Sequence, residues 1–201
     1  MNEPAAAALV LAGGRSARLN RVEKASVEKA SVEIDGIPLI DHVYAAVRGC
    51  APIIAVGPGH IGRPGVRVVR EQPPFGGPAA ATAAAIVALE GSGAMEAWLL
   101  ACDLPRAREL VERLSEVPIP DDADAVVSAD AEGRVQWLAG RYRVSALQRA
   151  VAQHPHATGS SMREFLAGVR LHTVDDGGTA LDLDTWAAIE EYRSTRKDNH
   201  V

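Results

Sequence analysis

Cysteine is scarce: Cys50 and Cys102 are the only two in 201 residues, far apart and flanked by apolar neighbours. They give no disulfide framework and read as two buried thiols in a reducing compartment. Long Lys/Arg runs are missing and the formal net charge is −5. No cationic stripe for a nucleic-acid backbone is therefore visible. No apolar run approaches the ~20 residues a membrane span needs. The stretch from Ala5 to Ala12 is short and lacks a basic leader, so it does not read as a secretory signal. The six histidines form no pair at metal-ligand spacing, and His154 and His156 flank Pro155 in an expected loop. The three tryptophans are scattered and read as packing groups rather than as a base-stacking platform. The expectation is a cytoplasmic protein with neither nucleic acid nor membrane as partner.

What is present is a chain long enough for one full hydrophobic core. Apolar runs at Ala6–Ala12, Pro52–Val56, Val66–Val69, Ala97–Cys102 and Ala123–Ala129 read as strands, most of them closed by Gly, Pro or Asp. Helical patterns separate them at Ile37–Val47, Ala79–Leu89 and Arg108–Leu114. The alternation predicts an α/β fold with a doubly wound, mainly parallel sheet of Rossmann-like type. Further along, strands are expected at Val135–Tyr142, Leu171–Val174 and Ala180–Leu183. Helices are expected at Ser145–Gln153, Ser161–Leu166 and Thr185–Arg193. Residues 1–195 read as a single domain and 196–201 as a polar tail. Glu23–Val27 is copied at once as Glu28–Val32, which lengthens one loop rather than building a repeat fold.

Five segments carry chemistry. Leu11-Ala12-Gly13-Gly14-Arg15-Ser16-Ala17-Arg18 turns out of the first strand on two glycines. Adjacent glycines let backbone N–H groups face an anion, and Arg18 and Ser16 can bind phosphate oxygens. On residues alone, a phosphate cradle and a plain tight turn are equally good readings. Lys24 and Lys29, in the duplicated segment, gain meaning only beside that turn. Asp103 stands where a strand ends, the edge at which open α/β sheets bind ligands, and its carboxylate suits Mg²⁺. It could equally close the turn before Pro105. Alternation puts Asp182 and Asp184 on the same face of a strand, and Asp184 could equally be the N-cap of the last helix. Glu71 opens a loop that ends at Gly77-Pro78 and feeds the alanine-rich helix.

In this order, the segments resemble the MobA-like branch of the NTP transferases, the molybdenum cofactor guanylyltransferases. The opening block resembles that family's Leu-Ala-Gly-Gly-x-Ser-x-Arg motif, and Gly36-Ile37-Pro38-Leu39 its later Gly-x-Pro-Leu. Glu71, Gly77 and Pro78 are similar to its acidic residue and Gly-Pro loop, and Cys102-Asp103-Leu104-Pro105 to its Mg²⁺-binding strand end. Gly159–Arg163 and Asp182–Thr185 resemble its late motifs, so the likeness runs from about Ala6 to Tyr192.

Departures are visible. Leu19-Asn20 replaces the family's Met-Gly, and Ala55-Val56-Gly57 stands where an asparagine is common. Asp182 and Asp184 replace asparagines. Counted from Arg18 the family lysine falls on Lys24; counted back from Gly36 it falls on Lys29. Lys24 is favoured, because the cradle lies on its side.

The resemblance implies the fold of the nucleotide-diphospho-sugar transferases and an Mg²⁺-dependent transfer of GMP from GTP to molybdopterin, with a molybdoenzyme or cofactor carrier as a further partner. Leu11, Ala12, Gly13, Gly14, Ser16, Lys29, Glu71, Gly77 and Pro78 would bind nucleotide. Arg18, Lys24 and Asp103 would be catalytic, with Asp103 and Asp184 at the metal. A relative using another NTP or acceptor, and a nucleotide-binding protein without catalysis, are the alternatives.

Overall fold

The computed structural model describes residues 6–13, 29–181, 183 and 186–198. Among the described residues there are nine strands: β1 (Ala7–Leu11), β2 (Glu33–Ile34), β3 (Ile37–Pro38), β4 (Ile53–Val56), β5 (Val66–Val69), β6 (Glu96–Ala101), β7 (Ala125–Ala129), β8 (Val135–Arg143) and β9 (Leu171–Asp175). The helices are α1 (Leu39–Ala46), α2 (Pro78–Leu89), α3 (Ala107–Ser115), α4 (Val144–Gln153), α5 (Met162–Phe165) and α6 (Trp186–Asp198).

Seven strands form one sheet in the order β5-β4-β1-β6-β8-β7-β9. All neighbours pair in parallel except around β8, which is antiparallel to both β6 and β7. Every residue of β1 is buried, as a strand with helices on both faces must be. Its side chains alternate between two cores. Ala7, Leu9 and Leu11 pack with α2, α4 and α5. Ala8 and Val10 pack with α1 and α3. The doubly wound, mainly parallel sheet expected from the alternation is the observed architecture.

The structure departs from the expected elements in three places. The helix expected from Ile37 begins only at Leu39, because Ile37-Pro38 pairs with Glu33-Ile34 as a two-stranded hairpin. Asp35 and Gly36 both take positive φ, 54° and 75°, as a tight hairpin turn requires. The strand expected at Ala180–Leu183 is not formed. Ala180 lies in a turn, and Leu181 and Leu183 join no strand. Ala180 and Leu183 are buried while Leu181 is exposed, and a three-residue spacing of buried positions does not fit a period of two. The closing helix runs on to Asp198, past the expected boundary at residue 195. Its Ile189, with Leu183, packs on Val32, Ile34 and Leu39, so the C-terminal segment covers the small hairpin.

Cys102 is buried, but Cys50 is only half-buried. Burial still pushes the Cys50 thiol up to about 11. No helix among the described residues is long and apolar enough to cross a membrane.

Candidate active site

The sheet order reverses beside β1. From β1 the chain moves one way to β4 and β5, then returns to the other side of β1 as β6. The crevice outside the carboxyl ends at such a reversal is where open α/β sheets bind ligands. Four strand ends stand level there: Val69 is opposite Val56, Val56 opposite Leu11, and Leu11 opposite Ala101. Ladder bonds continue past the ends, from Ala12 N–H to the Val56 carbonyl (2.8 Å) and from Cys102 N–H to the Leu11 carbonyl (3.0 Å). Glu71, Gly13 and Asp103 each lie two residues beyond this common row, on β5, β1 and β6 respectively.

Gly57, after β4, makes the close approach possible. A Cβ there would meet Ile61 Cδ1 at 2.9 Å and the Ala12 carbonyl oxygen at 3.1 Å. Across this gap the Glu71 side chain reaches Gly13. A Cβ placed on Gly13 would stand 3.4 Å from Oε1 and 3.6 Å from Oε2 of Glu71. The Glu71 carboxylate is buried at 4 % exposure. Oε1 accepts the Phe75 N–H at 2.9 Å, while Oε2 is buried with no hydrogen-bond partner in the structure. Leaving a buried carboxylate oxygen unmatched is costly, so such a group signals an absent donor.

On the other side of Gly13, Asp103 is 5 % exposed and pairs with Lys29, whose Nζ donates to Oδ2 at 2.7 Å. Lys29 opens a single 3₁₀ turn whose Ala30 is buried against the α1–α3 face of the core. The Asp103 carbonyl accepts the Leu183 N–H at 3.4 Å. That bond ties the segment carrying the late acidic motif to the strand end. Two glycines shape the turn that precedes it. Gly177 and Gly178 take φ of 55° and 75°, and their N–H groups bond the Asp175 and Asp176 carboxylates.

The alanine-rich helix α2 follows the Glu71 loop. Gly77 at its N-cap has φ 91°, open to glycine at little cost, and Pro78 occupies the first turn. Because α2 leads away from the carboxyl end of β5, its free N–H groups lie at the same edge as the strand ends.

Of the residues singled out in the sequence, Leu11, Ala12, Gly13, Lys29, Glu71, Gly77, Pro78 and Asp103 are therefore gathered along one edge. Gly14, Ser16, Arg18, Lys24 and Asp184 lie outside the described residues, as does Asp182. Among the described residues, no group of three His, Cys, Asp or Glu side chains forms a protein-only cation cage. Asp103 is one carboxylate at the edge where phosphates are expected, a donor set that fits Mg²⁺, which takes one or two carboxylates and completes its shell from phosphates and water.

The model of the MobA-like NTP transferase domain matches residues 8–174, most of the chain. The chain belongs to that family. As a MobA-like NTP transferase it is a nucleotidyltransferase by descent. It is 32 % identical over 149 residues to a probable molybdenum cofactor guanylyltransferase of Mycobacterium tuberculosis H37Rv, covering 71 % of this chain and 70 % of the relative. The fold is shared with a nucleotidyl transferase from Methanothermobacter (TM-score 0.71, 19 % identity, 97 % and 99 % of the two chains). It is also shared with a molybdopterin-guanine dinucleotide biosynthesis protein A from Archaeoglobus fulgidus (TM-score 0.67, 17 % identity, 96 % and 99 %).

Sequence reasoning missed two features of this MobA-like site. The Leu183 backbone bond to Asp103 leaves no mark in composition. Phe75, whose N–H holds Glu71, sits in a Gly/Pro-rich loop, and only its positive φ, seen in the structure, sets it apart.

Proposed function

We propose that this chain transfers GMP from GTP to molybdopterin and releases pyrophosphate. The observation that carries the reading is the alignment of Glu71, Gly13 and Asp103 on one row at the sheet reversal. The relatives named molybdenum cofactor guanylyltransferase support the choice of reaction.

In this reading Leu11, Ala12, Gly13, Gly14 and Ser16 line the nucleotide phosphates. The unmatched Glu71 Oε2 accepts an N–H from the edge of guanine. The start of α2 at Gly77-Pro78 turns its positive end toward the anion. Asp103 would hold Mg²⁺, with Asp184 supporting it. The ion would supply charge neutralisation at the α-phosphate.

The attacking phosphate monoester is largely ionised at neutral pH, its second pKa being about 6. No strong general base is then needed, and the side chains act by positioning and by offsetting charge. Arg18 and Lys24 offset charge gathering on the departing pyrophosphate. Lys29, already beside Asp103, brings a cation to the same place.

The test is pyrophosphate release with GTP, CTP, ATP and UTP, each with Mg²⁺, with and without molybdopterin. The reading expects release from GTP only when molybdopterin is present, and loss of at least about 100-fold in Asp103→Asn. Release from CTP instead would overturn the guanine assignment. GTP binding without release under any condition would make the chain a binding protein.

A further inference from the structure

Asp103-Leu104-Pro105-Arg106 leads from the end of β6 into α3 and touches the segment after β9 at two places. At its start, the Asp103 carbonyl accepts the Leu183 N–H at 3.4 Å. At its end, Arg106 Nη1 donates to the Gly178 carbonyl at 3.2 Å. The rest of this guanidinium is held on α3, where Nε (3.1 Å) and Nη2 both donate to the Glu109 carboxylate one turn along. The contact therefore comes from a planar fork fixed at its base rather than from a loose surface cation.

Arg113, two turns further on the same face of α3, lies against the other glycine of the turn. A Cβ built on Gly177 would stand 3.1 Å from Arg113 Nη1. The turn is also bonded within itself and to the sheet. The Asp176 N–H donates to the Ala129 carbonyl at 2.9 Å, and Thr179 returns its N–H (3.0 Å) and its hydroxyl (2.6 Å) to the Asp176 carbonyl. Beyond the turn, Ala180 and Leu183 are buried. The contacts at Gly178 and at Leu183 thus bracket a short stretch of chain on both sides.

We propose that Arg106 is a positioning residue for the late acidic motif: acting from α3, it clamps the Gly177-Gly178 turn and so sets Asp182-Leu183-Asp184 beside Asp103. This rests on the reading of Asp103 as the Mg²⁺ ligand with Asp184 in support. Arg106 stands three residues after Asp103, so the clamp and the carboxylate it serves are borne by one short segment. Groups that orient metal-bound side chains from outside the coordination shell act in this way.

The experiment compares the full chain with Arg106→Ala and with Arg108→Ala, which removes the same charge from an exposed position on the same helix. The first readout is hydrogen exchange at the Leu183 amide, without nucleotide or cation, beside the midpoint of chemical denaturation. The second is the Mg²⁺ concentration that half-saturates GTP binding. Arg106→Ala should speed Leu183 exchange by roughly tenfold with the midpoint unchanged. It should also raise the Mg²⁺ requirement by roughly tenfold or more. Arg108→Ala should do neither. Wild-type exchange at Leu183 in Arg106→Ala would overturn the clamp. Faster exchange with an unchanged Mg²⁺ requirement would overturn the positioning role and leave a structural bond. Equal effects of Arg106→Ala and Arg108→Ala would overturn it as well, by marking a general charge effect. If GTP binding to the wild-type chain does not depend on Mg²⁺, the reading of Asp103 fails, and Leu183 exchange, measured without either ligand, still decides on the clamp.

Discussion

Lys29 and Asp103 show what a single position contributes. In the sequence the five-residue copy gives the family lysine two legitimate places, and counting from either end yields a different answer. Local pattern cannot separate two identical pentapeptides. Lys29 reaches Asp103 at 2.7 Å, and Lys24 lies outside the described residues. Lys29→Ala is expected to lower kcat/KM by about tenfold or more, since it removes a charge-assisted partner from a largely buried carboxylate. Steady-state kinetics of Lys24→Ala and Lys29→Ala side by side check this, and equal, small effects would take lysine out of the mechanism. Glu71→Gln tests the other end of the row. It replaces an acceptor with an amide that also donates, so GTP binding should weaken by ~10-fold or more while tripolyphosphate binding stays unchanged.

Elements were legible wherever burial leaves a pattern. The strands of the central sheet are covered on both faces, so they stand out as apolar runs. The α2 helix announces itself through alanine. The β2–β3 hairpin was missed because Asp35-Gly36 lay just ahead of a helical pattern that claimed Ile37 and Pro38, although Asp-Gly is a strong hairpin signal. The Gly77 φ of 91° makes a prediction about α2. No atom lies within 4 Å of a Cβ built there, so Gly77→Ala acts through the backbone alone. It should cost about 1–3 kcal/mol in chemical denaturation. In α5, Ser161 and Glu164 form a reciprocal capping box. Ser161→Ala should cost about 1 kcal/mol, read the same way.

For the whole molecule, strand order was not legible, because hydrogen-bond partners dozens of residues apart leave no local trace. The reversal at β1 and the antiparallel β8 appear only in three dimensions. The far end of the sheet is fastened separately. Asp124, just before β7, is 4 % exposed and takes Arg170 Nε at 3.0 Å, the Arg170 N–H at 3.1 Å and Arg149 Nη2 at 3.0 Å. The Arg170 side-chain hydrogen bond, with its backbone N–H and Arg149, holds the Asp124 carboxyl well below the usual carboxylate range, against the opposing effect of burial.

A lowered folded-state pKa contributes stability above the unfolded value of about 3.9, and that contribution disappears as pH falls through the folded value. Acid unfolding should therefore steepen below about pH 4 in the native chain and be flatter in Asp124→Asn. At neutral pH Asp124→Ala should lower stability in chemical denaturation, because it removes the carboxylate that accepts from Arg149 and from the main chain and side chain of Arg170. GTP affinity should not change, since Asp124 stands at the amino end of β7 and the site at the carboxyl ends.

The account rests on one location, the carboxyl edge between β1 and β6. A crystal structure with Mg²⁺ and a non-hydrolysable GTP analogue tests it most directly. The triphosphate should lie against Gly13, with the cation on Asp103 and the base edge on Glu71 Oε2. Nucleotide bound anywhere else, with Asp103 still paired to Lys29 and Glu71 Oε2 still unmatched, would contradict it.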